Sequence, residues 1–170
     1  MESTEKKAPE NNGTALKTEK SLNIAGALEQ IGFAVVPIKG VSMMPLLRAG
    51  RDTVKIVPYA PGEEPKRDDI TLFRRKNGDT VLHRTVKKKN NVFYIRGDNC
   101  TYSEHIRREQ ILGRAEGIFL DGEYHACTEP MIRRFAARQR LTLPFRAFRA
   151  YGRKALRMLT GKGKGKKRKA

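Results

Sequence analysis

The chain has 170 residues, 36 of them Lys or Arg and 18 Asp or Glu, for a net charge of +18, and it is long enough for one domain with its own core plus some extension. No run approaches the roughly 18 apolar residues of a spanning helix, and the polar, mixed-charge residues 1–20 do not resemble a secretory signal, so a soluble chain kept in the cytoplasm is expected. Cys100 and Cys127 form neither a metal-ligand spacing nor a disulfide framework, and nothing calls for a metal or a cofactor.

The charge is unevenly spread. Residues 131–170 hold nine Arg and six Lys with no Asp or Glu, whereas the first 130 residues are close to neutral at +3. The body reads as an ordinary domain and the tail as a polycation, which implies an anionic partner for the tail.

Residues 1–20 have almost nothing to bury and read as a disordered lead. Ser21 is placed to cap a helix over 22–31 that buries Leu22, Ala25, Leu28 and Ile31, with Gly32 as its stop. A strand-like run at 33–37 leads into Gly40-Val41-Ser42-Met43-Met44-Pro45. Pro suits the first turn of a helix, so Ser42 is expected at the start of a short helix, followed by a turn at 48–52. Residues 53–57 alternate at period two, and 60–67 form a Pro/Gly/Glu loop. Residues 70–74 and 80–86 flank the hairpin signal Asn77-Gly78, 87–91 read as a charged turn, and 92–95 as a strand. A last hairpin joins 111–120 to 123–126 through Asp121-Gly122. Six or seven short strands with tight turns and no βαβ rhythm imply a mostly-β, antiparallel, barrel-like domain.

Three positions carry chemistry. Ser42 at a helix start would have the positive end of the dipole beneath its oxygen and unpaired N–H groups nearby, as an acylated nucleophile needs; a plain N-cap would use the same residue. His83 shares its strand face with Val81 and Thr85, while Leu82, Arg84 and Val86 point the other way. That is the setting of an imidazole kept neutral, and equally of a structural histidine bonded to backbone. His105 and His125 lie in polar contexts and read as surface residues. Asp98 in Arg96-Gly97-Asp98-Asn99 belongs to a tight turn, and it would also bring a carboxylate within reach of a histidine on a neighbouring strand, the usual third group behind a Ser–His pair.

Gly-Val-Ser-Met-Met-Pro, Leu-Leu-Arg-Ala-Gly-Arg-Asp, Asp-Asp-Ile-Thr-Leu-Phe-Arg, Val-Leu-His-Arg, Ile-Arg-Gly-Asp-Asn and Ile-Leu-Gly-Arg-Ala follow one another in this order. In this the chain resembles the serine-peptidase superfamily of type I signal peptidases and the self-cleaving SOS and phage repressors, over residues 33–118. The resemblance implies a coiled, mostly-β peptidase domain with Ser42 as nucleophile. The general base of the bacterial signal peptidases and SOS repressors is a lysine. His83 stands at that position here, as in the endoplasmic-reticulum and archaeal signal peptidases, and Asp98 matches their acidic residue. Two departures accompany the likeness. Gly40, two residues before Ser42, offers no hydroxyl, so the oxyanion falls to backbone N–H groups at Ser42, with Gly40 and Met43 as support. Ser103 and Arg107 keep the supporting pattern, but Glu104-His105 stand where an Asp is expected.

The expected function is therefore that of a serine endopeptidase acting on leader or signal-like peptides. Ser42 attacks a peptide carbonyl, His83 carries the proton to the leaving amine, and Asp98 steadies the imidazolium. Two alternatives stay open: a self-cleaving regulator, with Ala25-Gly26 as the one tempting bond, and a non-catalytic protein acting through its tail. The peptidase domain spans 21–128. A basic extension at 129–160 reads as two helices, 129–140 and 144–159, and a Lys/Gly tail covers 161–170. In the second helix Phe145, Phe148, Gly152, Ala155, Leu156 and Leu159 share one face, and Arg146, Arg149, Arg153 and Arg157 share another. Residues 131–170 are expected to lie on an anionic membrane surface; a helix packed on the body with a solvated basic face is the plain alternative, and nucleic acid is the less favoured partner. Oligomeric state is left open.

Overall fold

The computed structural model describes residues 24–159, with side chains up to residue 145 and at 148, 151 and 152. The lead at 1–20, the cap at Ser21 and the tail at 161–170 lie outside the described residues. A short helix α1 (24–30) is followed by β1 (Ala34–Pro37), β2 (Thr53–Val57), β3 (Ile70–Arg74), β4 (Thr80–Lys89), β5 (Val92–Arg96), β6 (Glu104–Arg107), β7 (Ile111–Leu120), β8 (Glu123–Ala126) and the helix α2 (Pro130–Leu159). The strands form one antiparallel sheet in the order β1-β2-β7-β3-β4-β5-β6, with β8 on β7, curled into a half-barrel. β7 is its hinge line: Arg114 faces both Val57 of β2 and Thr71 of β3. Register shifts at Lys55/Ile56, Leu72/Phe73 and Thr85/Lys87 supply the bends that curl it.

Each face of the central strands has its own core, because side chains alternate along a strand. Ile70 and Leu72 join Val54, Ile56, Ala115 and Ile118, covered by Leu28 of α1, Met43 and Leu47 of the β1–β2 loop, and Ile132 of α2. Phe73, on the other face, packs with Tyr59, Phe93, Ile95, Ile106 and Ile111. His83 has the parity of Val81 and belongs to this second face, whereas Arg84 has that of Leu82 and belongs to the first.

The mostly-β antiparallel architecture with a helix at each end is as expected, and four details differ. Residues 41–47 are successive turns rather than a helix: the Met44 N–H reaches Val41 O at 3.2 Å, the Leu47 N–H reaches Met43 O at 3.0 Å, and the Met44–Pro45 peptide is cis. No helix dipole therefore lies beneath Ser42. β4 runs on to Lys89, and the turn is Asn90-Asn91, both at positive φ (49° and 59°), as a tight hairpin requires. β6 is an additional strand. The extension is one helix instead of two, with Pro144 inside it. Pro144 withholds an N–H from the Arg140 carbonyl yet does not end the helix. Among the described residues no helix is long and apolar enough to cross a membrane.

Candidate active site

Ser42 lies on a loop held from both ends. Gly40, at φ +72°, lets the chain reverse after β1, a conformation that side chains resist. Met43, Leu46 and Leu47 plunge into the first core. The buried Asp52 closes the loop by accepting the Arg48 N–H at 2.7 Å, and its own carbonyl accepts the Ile38 N–H at 3.1 Å. Ser42 is left half-buried between these anchors. Among the described residues, neither the Ser42 nor the Met43 backbone N–H donates a hydrogen bond, so both are available to an incoming oxyanion.

The turn after β5 docks on this loop. The Asn99 N–H donates to Ser42 O at 2.7 Å, and Asn99 Nδ2 donates to Val41 O at 3.3 Å. Gly97 sits at the crossing with an ordinary φ, and the reason for glycine is space. A Cβ there would lie 2.7 Å from Ser42 O and 3.0 Å from His83 Nε2. One methyl group would thus touch both the Ser42 backbone and the imidazole. The missing side chain is what lets the Ser42 loop and β4 approach.

His83 is buried against Phe73, their ring centroids 6.0 Å apart. Its Nε2 faces the Ser42 side. Its Nδ1 lies 3.1 Å from Glu104 Oε1, an ion-pair distance, although the angle falls short of a hydrogen bond. Burial holds the imidazole pKa below its ordinary 6.5; the Glu104 charge pulls it back up and Arg75 pushes it down. The net depression favours the neutral ring. Glu104 in turn takes two hydrogen bonds from Arg75, at 2.6 and 2.7 Å, which keep its carboxyl ionised well below the usual range.

Asp98 is hydrogen-bonded to Arg84, and its charge also raises the His83 pKa, though less than that of Glu104. Its two oxygens accept Arg84 Nε and Nη2, each at 2.8 Å, in a buried bidentate pair. The reason is strand alternation. His83 and Arg84 point to opposite faces, and the turn delivers Asp98 to the Arg84 face. Glu104 reaches the other: Thr85 pairs with Ile95, and Ile95 with Glu104, which carries the His83 parity across two ladders to β6. The Glu that interrupts the expected pattern is therefore the carboxylate at the histidine, and the alternation of Glu104 and Ile106 about exposed His105 was the signal for it.

Ser42, His83, Gly40 and Met43 are thus brought together. Ser103 precedes Glu104 and is half-buried. Arg107 is not part of the cluster: it pairs with Val92 at the far end of β5 and extends outward beside Glu109. His105 is exposed and stacks on Tyr94, whereas His125 is half-buried, with Nδ1 3.1 Å from Glu129. A serine loop that meets a buried imidazole across Gly97, with a carboxylate at the ring's other nitrogen, has the parts for acyl transfer. Comparison with protein-family models gives no match, and comparison with curated proteins gives none either.

Proposed function

We propose that the chain is a serine endopeptidase of signal-peptidase type, with Ser42 as nucleophile and His83 as general base. The observation that carries this reading is the polarity of one ring, Nδ1 toward Glu104 and Nε2 toward the Ser42 loop. In this mechanism the Ser42 oxygen attacks a peptide carbonyl carbon while His83 Nε2 takes its proton. The N–H groups of Ser42 and Met43 hold the oxyanion, and the imidazolium then protonates the leaving amine. Water, deprotonated by the same nitrogen, releases the acyl group and restores Ser42. Glu104 is a positioning residue, acting through His83 with Arg75 behind it. The Arg84–Asp98 pair holds the turn that bears Gly97. The resemblance to signal peptidases supports leader or signal-like peptides as the substrate class.

Self-cleavage fits less well. Ala25-Gly26 lies within α1, in a helical backbone rather than the extended form a peptidase cleft accepts. A serine-reactive fluorophosphonate tests the proposal directly. Labelling and peptide-library cleavage are expected from the wild-type chain and not from Ser42→Ala. Equal labelling and cleavage by Ser42→Ala would overturn the assignment.

A further inference from the structure

The two halves of α2 are used differently. In the first, Ile132 and Ala136 are buried, Phe135 packs on the first core, and Gln139 and Leu143 line a small cavity beside Arg84 and Asp98. Arg140 pairs with Asp68 on the same side. Leu141, Phe145 and Phe148 follow at spacings of four and three. At about 100° per residue they fall on the opposite side of the helix from Ile132, Ala136 and Leu143. They are 81%, 63% and 76% exposed. Turning this stripe onto the body would lift Ile132 and Ala136 out of it.

We propose that this stripe is a docking surface for anionic lipid bilayers, with its three apolar side chains entering the headgroup boundary. Charge selects the occupant. Residues 131–170 carry nine Arg and six Lys without one acidic residue, and the exposed Arg134 and Arg138 begin the line that Leu141 and Phe145 continue. Aromatic and aliphatic side chains along one line of a basic helix suit a bilayer interior below and lipid phosphates around it. A nucleic acid backbone would engage the charge and leave the apolar stripe in water. The proposal does not rest on the chemistry of Ser42, and a Ser42→Ala chain should dock equally well.

The sequence contains no Trp, so Phe148→Trp in the full-length chain is a single reporter. With phosphatidylcholine vesicles containing about 30% phosphatidylserine, at about 50 mM salt, its emission should shift to the blue and escape acrylamide quenching. In parallel, Leu141→Ser with Phe145→Ser and Phe148→Ser should weaken co-sedimentation with these vesicles about tenfold or more while leaving affinity for a single-stranded RNA unchanged. These positions face away from the body, so the triple variant keeps the fold, checked by its melting temperature. The proposal falls if the Trp emission does not shift, if the triple variant sediments as the wild type does, or if the wild-type chain binds RNA and ignores the vesicles.

Discussion

Gly97→Ala tests the geometry at its tightest point. The new methyl would stand 2.7 Å from Ser42 O and 3.0 Å from both His83 Nε2 and Cys100 Sγ. Ordinary carbon–oxygen contacts begin at about 3.3 Å, so the Ser42 carbonyl must retreat by about 0.6 Å. It cannot retreat alone, because the Asn99 N–H in the same turn holds it at 2.7 Å. Overpacking of this kind costs about 1–3 kcal/mol, which in a chain of this size lowers the melting temperature by roughly 2–12 °C. The larger effect is on chemistry, since a displacement of about 1 Å between reacting groups costs up to about 100-fold in rate. The assay is the rate of fluorophosphonate labelling, read beside thermal unfolding. Gly26→Ala is the control, because a Cβ at Gly26 meets nothing within 4 Å and α1 gains up to about 1 kcal/mol of helix propensity. Wild-type labelling by Gly97→Ala would refute the argument that Gly97 sets the Ser42–His83 approach. A lower melting temperature with an unchanged rate would reduce it to a packing position.

Further outcomes are expected. Ser42→Ala should abolish labelling and hydrolysis and change stability by less than about 1 kcal/mol, with His83→Ala nearly as damaging because the pair acts as a unit; retained turnover in either removes that residue from the mechanism. Labelling should rise with pH through a midpoint below 6.5 and be level by pH 7, since burial disfavours the imidazolium; a midpoint above 6.5 would contradict that. The same depression means that the unfolded chain binds more protons below pH 6.5, so stability should fall as pH drops below that value; stability rising there would count against a buried neutral His83. Glu104→Gln removes the charge that raises the His83 pKa and leaves Arg75, so the midpoint should move further toward acid and the rate should drop. The drop should stay short of the ~10⁴-fold loss seen on neutralising the orienting carboxylate of a Ser-His-Asp triad, because the 3.1 Å contact lies off the hydrogen-bond line. Asp98→Asn should instead act on stability, by about 3–5 kcal/mol, because it leaves the buried Arg84 guanidinium uncompensated. A normally stable Asp98→Asn chain with a shifted acid limb would reverse the roles of the two carboxylates.

Two of the strands that sequence patterning located, β2 and β5, alternate in burial as they do in sequence. Thr53–Val57 alternates half-buried and buried, and Asp121-Gly122 takes the positive φ values of 51° and 88° that a two-residue hairpin demands. Glu104–Arg107 offers one buried apolar side chain in four residues, and its strand character comes from pairing with β5. Local propensity cannot report that. The turns at Ser42 mislead for a different reason. Met43, Leu46 and Leu47 have helical spacing, and all three are buried. A loop pulled into a core from several sides produces the same spacing as one face of a helix.

The candidate site divides along the same line. Ser42 and His83 were legible because each stands at a local signal, a small residue before Met-Met-Pro and a polar residue on an apolar strand face. Which carboxylate serves the histidine is not a local property. Asp98 is near in sequence to β5 and belongs to a turn that any Gly-Asp-Asn would form, so proximity favours it. Parity gives its hydrogen bonds to Arg84, and only its charge reaches His83. The acid that shares the His83 face is found only by following Thr85 to Ile95 and Ile95 to Glu104, a register fixed by two ladders. Once that register is known, the bidentate Arg84–Asp98 pair and the Arg75–Glu104–His83 chain become two separate devices on two faces of β4. One fastens the Gly97 turn, and the other places a carboxylate behind the imidazole that borders this turn.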